Sequence, residues 1–248
     1  MLERAYGAAQ CGGTAMKSYG QFCPVAKAAE IFCERWTALI LRDLSLGATR
    51  FSELQKGVPL ASPTLLSQRL KDLQAEGIVE RRPIGSGRGS TYHLTPAGEE
   101  FTPIVVSLGV WGQRWARRAL AEHEVDLGLL LWAIERGAKP EALGPGRTVV
   151  QLNLTDQPKA KRHWWYLNAD GRCELCLSPP ERDPDLYLTV SLRDMILVWR
   201  GDLALAKAMK TGRLDMHGTS KAMRGFSRWL AVSPLAHIQP QPGIVRAA

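Results

Sequence analysis

Hydrophobic residues recur at helical spacing through the first half of the chain. Apolar residues at positions 25, 28, 29 and 32 follow Pro24, which suits the first turn of a helix. The same spacing predicts a second helix from about Arg35 to Leu46, ended by Gly47, and a short third helix from about Phe51 to Lys56. The amino-terminal half is therefore predicted to begin with a series of short helices.

The fourth predicted helix has the clearest boundaries. Ser62 is a favourable N-cap, Pro63 fits the first helical position, and Gly77 fits the position after the helix. Three leucines lie within about 60° of one another around this helix and form its predicted core face: Leu66, Leu70 and Leu73. The opposite side carries uncharged hydrogen-bonding groups and one cation: Thr64, Ser67, Gln68 and Lys71.

Two short strands follow, on either side of a segment rich in glycine and serine. They run over residues 78–82 and 91–94, with the glycine-rich segment over residues 85–90. This arrangement predicts a β-hairpin with a flexible tip. Thr95 and Pro96 then open another helix.

This next helix carries a heptad pattern. Its apolar residues step by three and four positions along the chain: Phe101, Ile104, Leu108, Trp111 and Trp115. So many large apolar residues exceed what the last helix of a small domain needs to bury. The pattern therefore predicts a seam through which two copies of the chain form a homodimer.

After Glu122 the pattern changes to a mixture of helices and strands. A helix is predicted near residues 127–136, and strands over residues 148–154, 164–167, 173–177, 186–190 and 214–217. Further helices are predicted after Ser191, after Asp202, and from Thr219 or Ser220 to Trp229. These elements predict a separate α+β domain with an antiparallel sheet.

Length and composition favour one large or two small globular domains. The chain has 248 residues, of which 45% are hydrophobic and 23% are charged, which argues against a mostly disordered chain. No stretch approaches the ~20 apolar residues that span a bilayer. The first residues also lack the apolar core of a secretory signal. We therefore expect a soluble, cytoplasmic protein that does not associate with membranes.

The charge balance favours anionic partners. Lys and Arg number 32 against 24 Asp and Glu, which gives a net charge of +8. The segment up to Ala121 carries 15 basic and 10 acidic residues, and the longer remainder carries 17 and 14. A nucleic-acid partner is therefore expected at the amino-terminal half.

The predicted order of elements matches the winged helix-turn-helix layout. In that layout a series of short helices ends with a helix that has a polar face, and a β-hairpin follows. An α-helix fits the major groove of B-DNA, and a glycine-rich loop can approach the phosphate backbone or the minor groove. We expect the helix over residues 62–76 to read double-stranded DNA and the wing over residues 82–92 to contact it. The candidate DNA-binding residues are Arg50, Ser62, Thr64, Ser67, Gln68, Arg69, Lys71, Arg82 and Arg88.

Two positions leave alternatives open. Arg69 lies about 60° from the leucine stripe, so a phosphate contact and a brace to a neighbouring acid are equally consistent with its position. Arg81 and Arg82 alternate faces of a strand, so only one of them is expected to face DNA.

Six short motifs follow one another in the amino-terminal half. They are CPVA at 23–26, WTALILR at 36–42, RFSEL at 50–54, SPTLLSQRL at 62–70, EGIV at 76–79 and YHLTP at 92–96. In this order they resemble the HxlR type of bacterial transcriptional regulator, over about residues 21–118. The resemblance implies a dimeric protein that binds an operator, with the helix after Ser62 as the reader and Arg50 near the DNA backbone.

A second set of motifs lies in the carboxy-terminal half. They are LYLTV at 186–190, LRDM at 192–195, GD at 201–202 and KTGRLDMHG at 210–218. This set is similar to a sterol-carrier-type lipid-binding domain, a family that pairs a curved sheet with helices around an apolar tunnel. The resemblance implies a small apolar ligand, and side chains suited to line its cavity are Met195, Met209, Met223, Phe226 and Trp229. The alternative is that these residues form ordinary core.

The cysteines do not suggest a disulfide framework, because they are few, scattered and odd in number: Cys11, Cys23, Cys33, Cys173 and Cys176. Cys23 precedes a predicted helix, and a helix amino terminus favours a thiolate. One hypothesis is therefore a redox switch in which Cys23, with Cys33 or the Cys23 of a dimer mate, gates DNA binding. The alternative is a small buried side chain.

Neither metal nor catalytic chemistry is indicated. Cys173 and Cys176 lie three residues apart in a predicted strand and so point to opposite faces, which disfavours a metal site. The sequence has no glycine-rich phosphate loop with its lysine, no G-x-S-x-G motif and no H-E-x-x-H motif. We therefore expect neither an enzyme nor a cofactor.

The predicted fold class is α+β, in two domains. A tail over residues 1–20 precedes a winged-helix DNA-binding and dimerisation domain over 21–121, and a sterol-carrier-like domain over 122–233 precedes a tail over 234–248. The predicted function is a dimeric, sequence-specific transcriptional regulator. Two alternatives stay open: a lipid-carrier module whose winged helix is a dimerisation platform, and a thiol switch acting through Cys23.

Overall fold

A computed structural model describes residues 18–85 and 89–241 of the chain. The chain divides into two compact units within one helix: the first extends to Val105 and the second begins at Val106. The predicted wing-tip residue Arg88, together with Cys11 and parts of both predicted tails, lies outside the described residues. In the part of the chain that the structure describes, no helix combines the length and the apolar character needed to cross a membrane.

Within the described residues, the amino-terminal unit consists of four short helices, a hairpin and the first part of a longer helix. These elements are α1 (Pro24–Phe32), α2 (Thr37–Ser45), α3 (Phe51–Gly57), α4 (Pro63–Ala75), β1 (Val79–Pro83), β2 (Ser90–Leu94) and α5 (Pro96–Trp115). The elements predicted for this half are confirmed, with predicted boundaries within two residues of those observed.

The core of this unit forms where the apolar faces of the short helices meet. Ile40 on α2 and Leu54 on α3 are fully buried. The predicted core face of α4 is confirmed, because Leu66, Leu70 and Leu73 are all buried in the same cluster. Burial of this face turns the opposite side of α4 towards solvent.

Both ends of α4 are set by local chemistry. The Ser62 hydroxyl oxygen accepts a hydrogen bond from the backbone N–H of Leu65 at 3.2 Å, as the predicted N-cap requires. Gly77 has a φ of 68°, a left-handed conformation that glycine adopts without steric cost, and the helix ends just before it.

The hairpin is joined to the segment before α3. β1 and β2 are antiparallel, with Val79 opposite Leu94. A bridge pairs Arg50 with Thr91, and the backbone N–H of Tyr92 donates to the carbonyl of Thr49 at 2.8 Å. Residues 49–50 therefore pair with β2 like a short third strand, and this pairing holds the wing beside the start of α3.

Phe101 differs from the other residues of the predicted dimer seam. Its ring is buried in the amino-terminal core and stacks on the ring of Phe32, with the centroids 3.5 Å apart. Because this contact ties α5 to α1, Phe101 is a core residue and is not available on an exposed seam.

The carboxy-terminal unit is a five-stranded sheet with helices. Its elements are α6 (Leu127–Gly137), β3 (Thr148–Leu154), β4 (His163–Ala169), β5 (Arg172–Cys176), β6 (Leu186–Val190), α7 (Leu192–Arg200), α8 (Leu205–Lys210), β7 (Leu214–Gly218) and α9 (Ser220–Trp229). Short 3-10 helices occupy Glu122–Glu124, Pro140–Leu143 and Lys159–Lys161.

The strand order is β5-β4-β3-β6-β7, and one pair departs from the predicted antiparallel arrangement. β3 and β6 run parallel, whereas the other neighbouring strands are antiparallel. The reason is the connection over residues 177–185, which returns the chain to the end of the sheet where β3 begins. β6 therefore enters beside β3 in the same direction.

Two further details differ from the sequence predictions. Asp202 does not cap α8, whose N-cap position is Ala204; its carboxylate pairs instead with Arg200 at 3.0 Å and with Arg117. The segment after Pro234, predicted to be a loose tail, is anchored in its described part. Gln241 donates a backbone hydrogen bond to the carbonyl of Arg114 at 2.9 Å.

The residues proposed to line an apolar tunnel lie mostly in the packed core of this unit. Met195 and Phe226 have no exposure, and Trp229 donates its indole N–H to the side-chain oxygen of Asn168 at 2.7 Å. Met223 packs against the same core, whereas Met209 is exposed. Four of these five residues therefore belong to the core of this unit, and their role towards an apolar ligand stays a prediction.

A cleft at the edge of this unit is lined by other residues. An open cleft of about 1090 Å³ lies between the loop over residues 144–147 and the β4–β5 hairpin over residues 167–172. Its lining combines charged residues, Arg147, Asp170 and Arg172, with the apolar residues Leu167 and Ala169.

Candidate nucleic-acid interface

The outer face of α4 carries the predicted DNA-reading residues. Thr64, Gln68 and Lys71 are exposed, and Ser67 is partly exposed. Three of these four side chains are neutral and can both donate and accept hydrogen bonds, while the lysine adds one positive charge. The face therefore offers groups that can distinguish one base edge from another.

Arg69 is directed away from this face and towards the body of the unit. Its side chain is 17% exposed and pairs with the carboxylates of Glu34 and Asp72, the latter at 3.3 Å. Of the two alternatives for Arg69, the brace to neighbouring acids matches the structure. The pair with Glu34 joins α4 to the segment between α1 and α2.

Asp72 also contacts Gln68, a relation that the sequence predictions missed. The Asp72 Oδ1 atom accepts a hydrogen bond from Nε2 of Gln68 at 2.7 Å. The spacing of four residues on one helix was the available signal, because such residues are neighbours on the helix surface.

The basic residues around α4 have distinct settings. Arg50 is exposed at the start of α3, where Glu53 accepts the backbone N–H groups of Thr49 at 2.8 Å and of Arg50 at 2.9 Å. Ser62 is exposed at the amino terminus of α4, whose free backbone N–H groups suit an anion.

In the wing, Arg82 is exposed but paired. Its Nε atom donates to the carboxylate of Glu80 at 2.9 Å. No hydrogen bond joins the exposed Arg81 side chain to another described residue. Arg81 was not among the predicted DNA-binding residues. Its side chain has fewer hydrogen-bond partners than that of Arg82.

An apolar stripe follows the outer side of α5. We define the α5 stripe as Ile104, Leu108, Trp111 and Trp115, which are 50%, 53%, 60% and 39% exposed. Exposed aliphatic and aromatic residues at heptad spacing are typical of a helix that packs against a partner helix.

Cys23 and Cys33 occupy opposite ends of α1, at its N-cap and C-cap positions. The nine residues of α1 lie between them, and ten residue steps of helix place their Cα atoms about 15 Å apart, far beyond the reach of a disulfide. A bond between these two cysteines of one chain would therefore require α1 to unwind.

One of the two cysteines of β5 packs into the core. Cys173 packs against the core of the carboxy-terminal unit, and burial, together with the nearby Glu135 carboxylate, raises the pKa of its thiol to about 12. A thiol with so high a pKa stays protonated and unreactive near neutral pH.

Comparison with known proteins identifies both halves. The HxlR-like helix-turn-helix family matches residues 31–120, and the SCP-2 sterol transfer family matches residues 130–230. The chain is 38% identical over 97 residues to the HTH-type transcriptional regulator YvaP of Bacillus subtilis, a match that covers 38% of this chain and 90% of YvaP.

Other similar proteins match a comparable share of the chain. The HTH-type transcriptional regulator Rv3095 of Mycobacterium tuberculosis is 38% identical over 95 residues, which cover 38% of this chain and 60% of Rv3095. Among solved structures, the redox regulator HypR in its reduced form is 27% identical, with a TM-score of 0.35, and the match covers 36% of this chain and 90% of HypR. From the match to YvaP and the two family assignments, the chain belongs to the HxlR-like helix-turn-helix family of transcriptional regulators and carries a domain of the SCP-2 sterol transfer family.

Proposed function

We propose that the protein is a dimeric regulator that binds a specific DNA operator, with α4 in the major groove and the wing on the backbone or minor groove. The observation that carries the proposal is the division of α4 into a buried leucine face and an exposed face of neutral hydrogen-bonding groups. Contacts from such groups to base edges specify sequence, whereas cations mainly bind phosphate.

Each residue of the interface then has a role that follows from its chemistry. Gln68, near the middle of the exposed face, reads a base edge. Thr64 and Ser67 contact bases or phosphates through their hydroxyl groups, and Lys71 binds a phosphate. The amino terminus of α4 at Ser62 accommodates another phosphate between its backbone N–H groups.

The flanking cations extend this surface to the DNA backbone. Arg50 and Arg82 contribute phosphate contacts, and Arg82 must exchange its carboxylate partner Glu80 for the phosphate. Arg81 contributes without that exchange. Arg69 has no part in the contact surface, because Glu34 and Asp72 hold it.

Dimerisation through the α5 stripe supports operator binding. Two copies of α5 that pack together bury Ile104, Leu108, Trp111 and Trp115, which are otherwise in contact with water. A two-fold dimer presents two copies of α4 and therefore binds a palindromic site.

The first test is selection of genomic DNA fragments by the purified protein, followed by titration of the enriched duplex and a scrambled duplex at two salt concentrations. We expect a palindromic site, an affinity that falls steeply with salt, and clear preference over the scrambled duplex. Equal affinity for both duplexes would contradict sequence-specific regulation.

The dimer is tested by sedimentation analysis of Trp111→Ala against Leu60→Ala. Leu60 is also exposed but lies outside the α5 stripe. We expect Trp111→Ala to shift the monomer–dimer midpoint to a concentration about 30-fold higher, as for a buried interface anchor, and Leu60→Ala to leave it unchanged. Equal behaviour of the two variants would exclude the stripe as the interface.

The SCP-2 family match supports a second proposal, that the carboxy-terminal domain takes an apolar ligand. Because Met195, Phe226 and Trp229 are packed in the core, entry of a ligand requires these side chains to move. Titration of the protein with a fluorescent fatty acid and with a sterol tests whether this domain binds an apolar ligand. Saturable binding of one ligand per chain would support the proposal. Saturable binding without any operator enrichment would instead favour the lipid-carrier alternative.

A further inference from the structure

One carboxylate beside the outer face of α4 connects the exposed Gln68 to a partly buried ion-pair network. Asp72 accepts from Gln68 Nε2 at 2.7 Å through one oxygen and from Arg69 Nη1 at 3.3 Å through the other. Arg69 also pairs with Glu34. The Asp72 carboxylate is 21% exposed, so it is held in place from the core side while its partner Gln68 faces solvent.

The hydrogen bond from Gln68 uses up part of its binding capacity. A glutamine amide has two N–H donors and one oxygen acceptor. An ionised carboxylate can only accept, so it must bind the nitrogen end of the amide. With one N–H given to Asp72, Gln68 presents one donor and one acceptor to any further partner.

This remaining pair matches one purine and not the other. In the major groove adenine presents an acceptor, N7, beside a donor, the N6 amino group. Guanine presents two acceptors, N7 and O6, and would need both N–H groups of the amide. The amide held by Asp72 complements adenine, and its oxygen faces the O6 atom of guanine unfavourably.

We propose that Asp72 is a positioning residue that restricts Gln68 to adenine over guanine at one operator position. The inference rests on the proposed function, since it requires α4 to read DNA in the major groove. Asp72 itself touches no base and acts only by fixing the orientation of the Gln68 amide.

Contacts of Arg69 with Asp72 and with Glu34 keep the Gln68 amide in this orientation as DNA approaches. Arg69 binds the second oxygen of Asp72 and prevents the carboxylate from rotating away from Gln68. The positive charge of Arg69 also offsets the repulsion between Asp72 and the DNA phosphates.

Selection from a pool of randomised duplexes by the full chain and its variants tests the inference. For the unaltered protein we expect a position at which adenine is preferred over guanine by about 5- to 150-fold, the range for one well-made base contact. Gln68→Ala removes this preference. Asp72→Ala frees the second N–H, so guanine is accepted at the same position while the rest of the site is unchanged.

Asp72→Asn gives the sharper result. The substituted side chain has a single oxygen, which Arg69 retains, so its amide nitrogen then faces Gln68. The Gln68 amide turns over to accept from that nitrogen, and both of its own N–H groups point outward. We therefore expect the preference to move from adenine to guanine.

Glu76→Ala is the matched control, because it removes an exposed acid at the end of the same helix that has no contact with Gln68. It leaves the adenine preference unchanged, and thermal unfolding of each variant confirms that the fold is retained. The inference is overturned if both Asp72 variants select the same base as the unaltered protein. If the unaltered protein enriches no sequence, the proposed function itself fails and the inference fails with it.

Discussion

Helices α4 and α9 are built alike but differ in the chemistry of their outer faces. Each begins at a hydroxyl cap: Ser62 accepts from the N–H of Leu65, and Thr219 accepts from the N–H of Ala222 at 3.2 Å. Each also buries one side in the core of its own unit. The outer face of α4 is mostly neutral, whereas that of α9 carries three exposed cations: Lys221, Arg224 and Arg228.

The difference shows that an amphipathic pattern identifies the buried side of a helix without assigning a role to the other side. Neutral amide and hydroxyl groups can match the donor and acceptor pattern of a base, so α4 is suited to sequence recognition. The cations of α9 have no such directional pattern. They are consistent with a solvated surface, although they contribute to the net charge of the chain.

The largest expected effect is on the core beneath α9. Trp229 is 1% exposed, and its ring meets that of Tyr166 edge to face. Trp229→Ala is expected to lower the free energy of unfolding by about 3–5 kcal/mol, because it leaves a cavity and an unpaired amide oxygen on Asn168. Urea denaturation followed by circular dichroism measures this, and a loss below about 1 kcal/mol would contradict the packed core.

Truncation of a buried side chain of α4 is expected to lower the free energy of unfolding by a slightly smaller amount. Leu70 is 1% exposed, and Leu70→Ala is expected to lower the free energy of unfolding by about 2–5 kcal/mol. The same denaturation experiment applies. A variant of ordinary stability would show that the leucine face does not anchor α4.

Substitution on the outer face of α4 separates recognition from stability. Gln68→Ala is expected to weaken binding to the selected operator by about 1–3 kcal/mol. Its effect on unfolding should stay within about 0.5 kcal/mol, as for an ordinary surface change. Ser227→Ala, at an exposed position of α9, is the control and should alter neither quantity. Equal loss on operator and scrambled duplex would place Gln68 on the backbone.

The smallest expected effect is a change in the salt dependence of DNA binding. It is measured by removing one cation from each of the two helices. If Lys71 binds one phosphate, Lys71→Ala should reduce the slope of log affinity against log salt by about 0.9. Arg224→Ala on α9 should leave the slope unchanged. Titrations of one duplex at several salt concentrations measure both. An equal reduction for Arg224→Ala would show that the carboxy-terminal domain also contacts DNA, and the contrast between the two helices would no longer hold.

Helix α5 shows where prediction from the pattern reaches its limit. The heptad spacing correctly indicated an apolar side that continues to the end of the helix, and Trp111 and Trp115 are exposed. Phe101 obeys the same spacing but is buried against Phe32. Periodicity along one helix cannot distinguish these cases, because the covering residue comes from another part of the chain.

The same reasoning applies to the sterol-carrier resemblance. Methionine and aromatic residues suit both a ligand tunnel and a packed interior, so their identities left both possibilities open. The ring of Trp229 contacts those of Tyr166 and Phe226, and all three rings are buried. Only the relative placement of β4 and α9 reveals this contact.

Helix boundaries, caps, the hairpin and the buried face of α4 followed from the amino-acid sequence, because they depend on residues within a few positions of one another. The partners of Arg69, Phe101 and Trp229 depended on the assembled fold. Arg69 meets Glu34 across 35 residues of sequence, and Trp229 meets Asn168 across 61. Such contacts are set by several elements packing at once, and no local pattern encodes which distant residue will lie opposite.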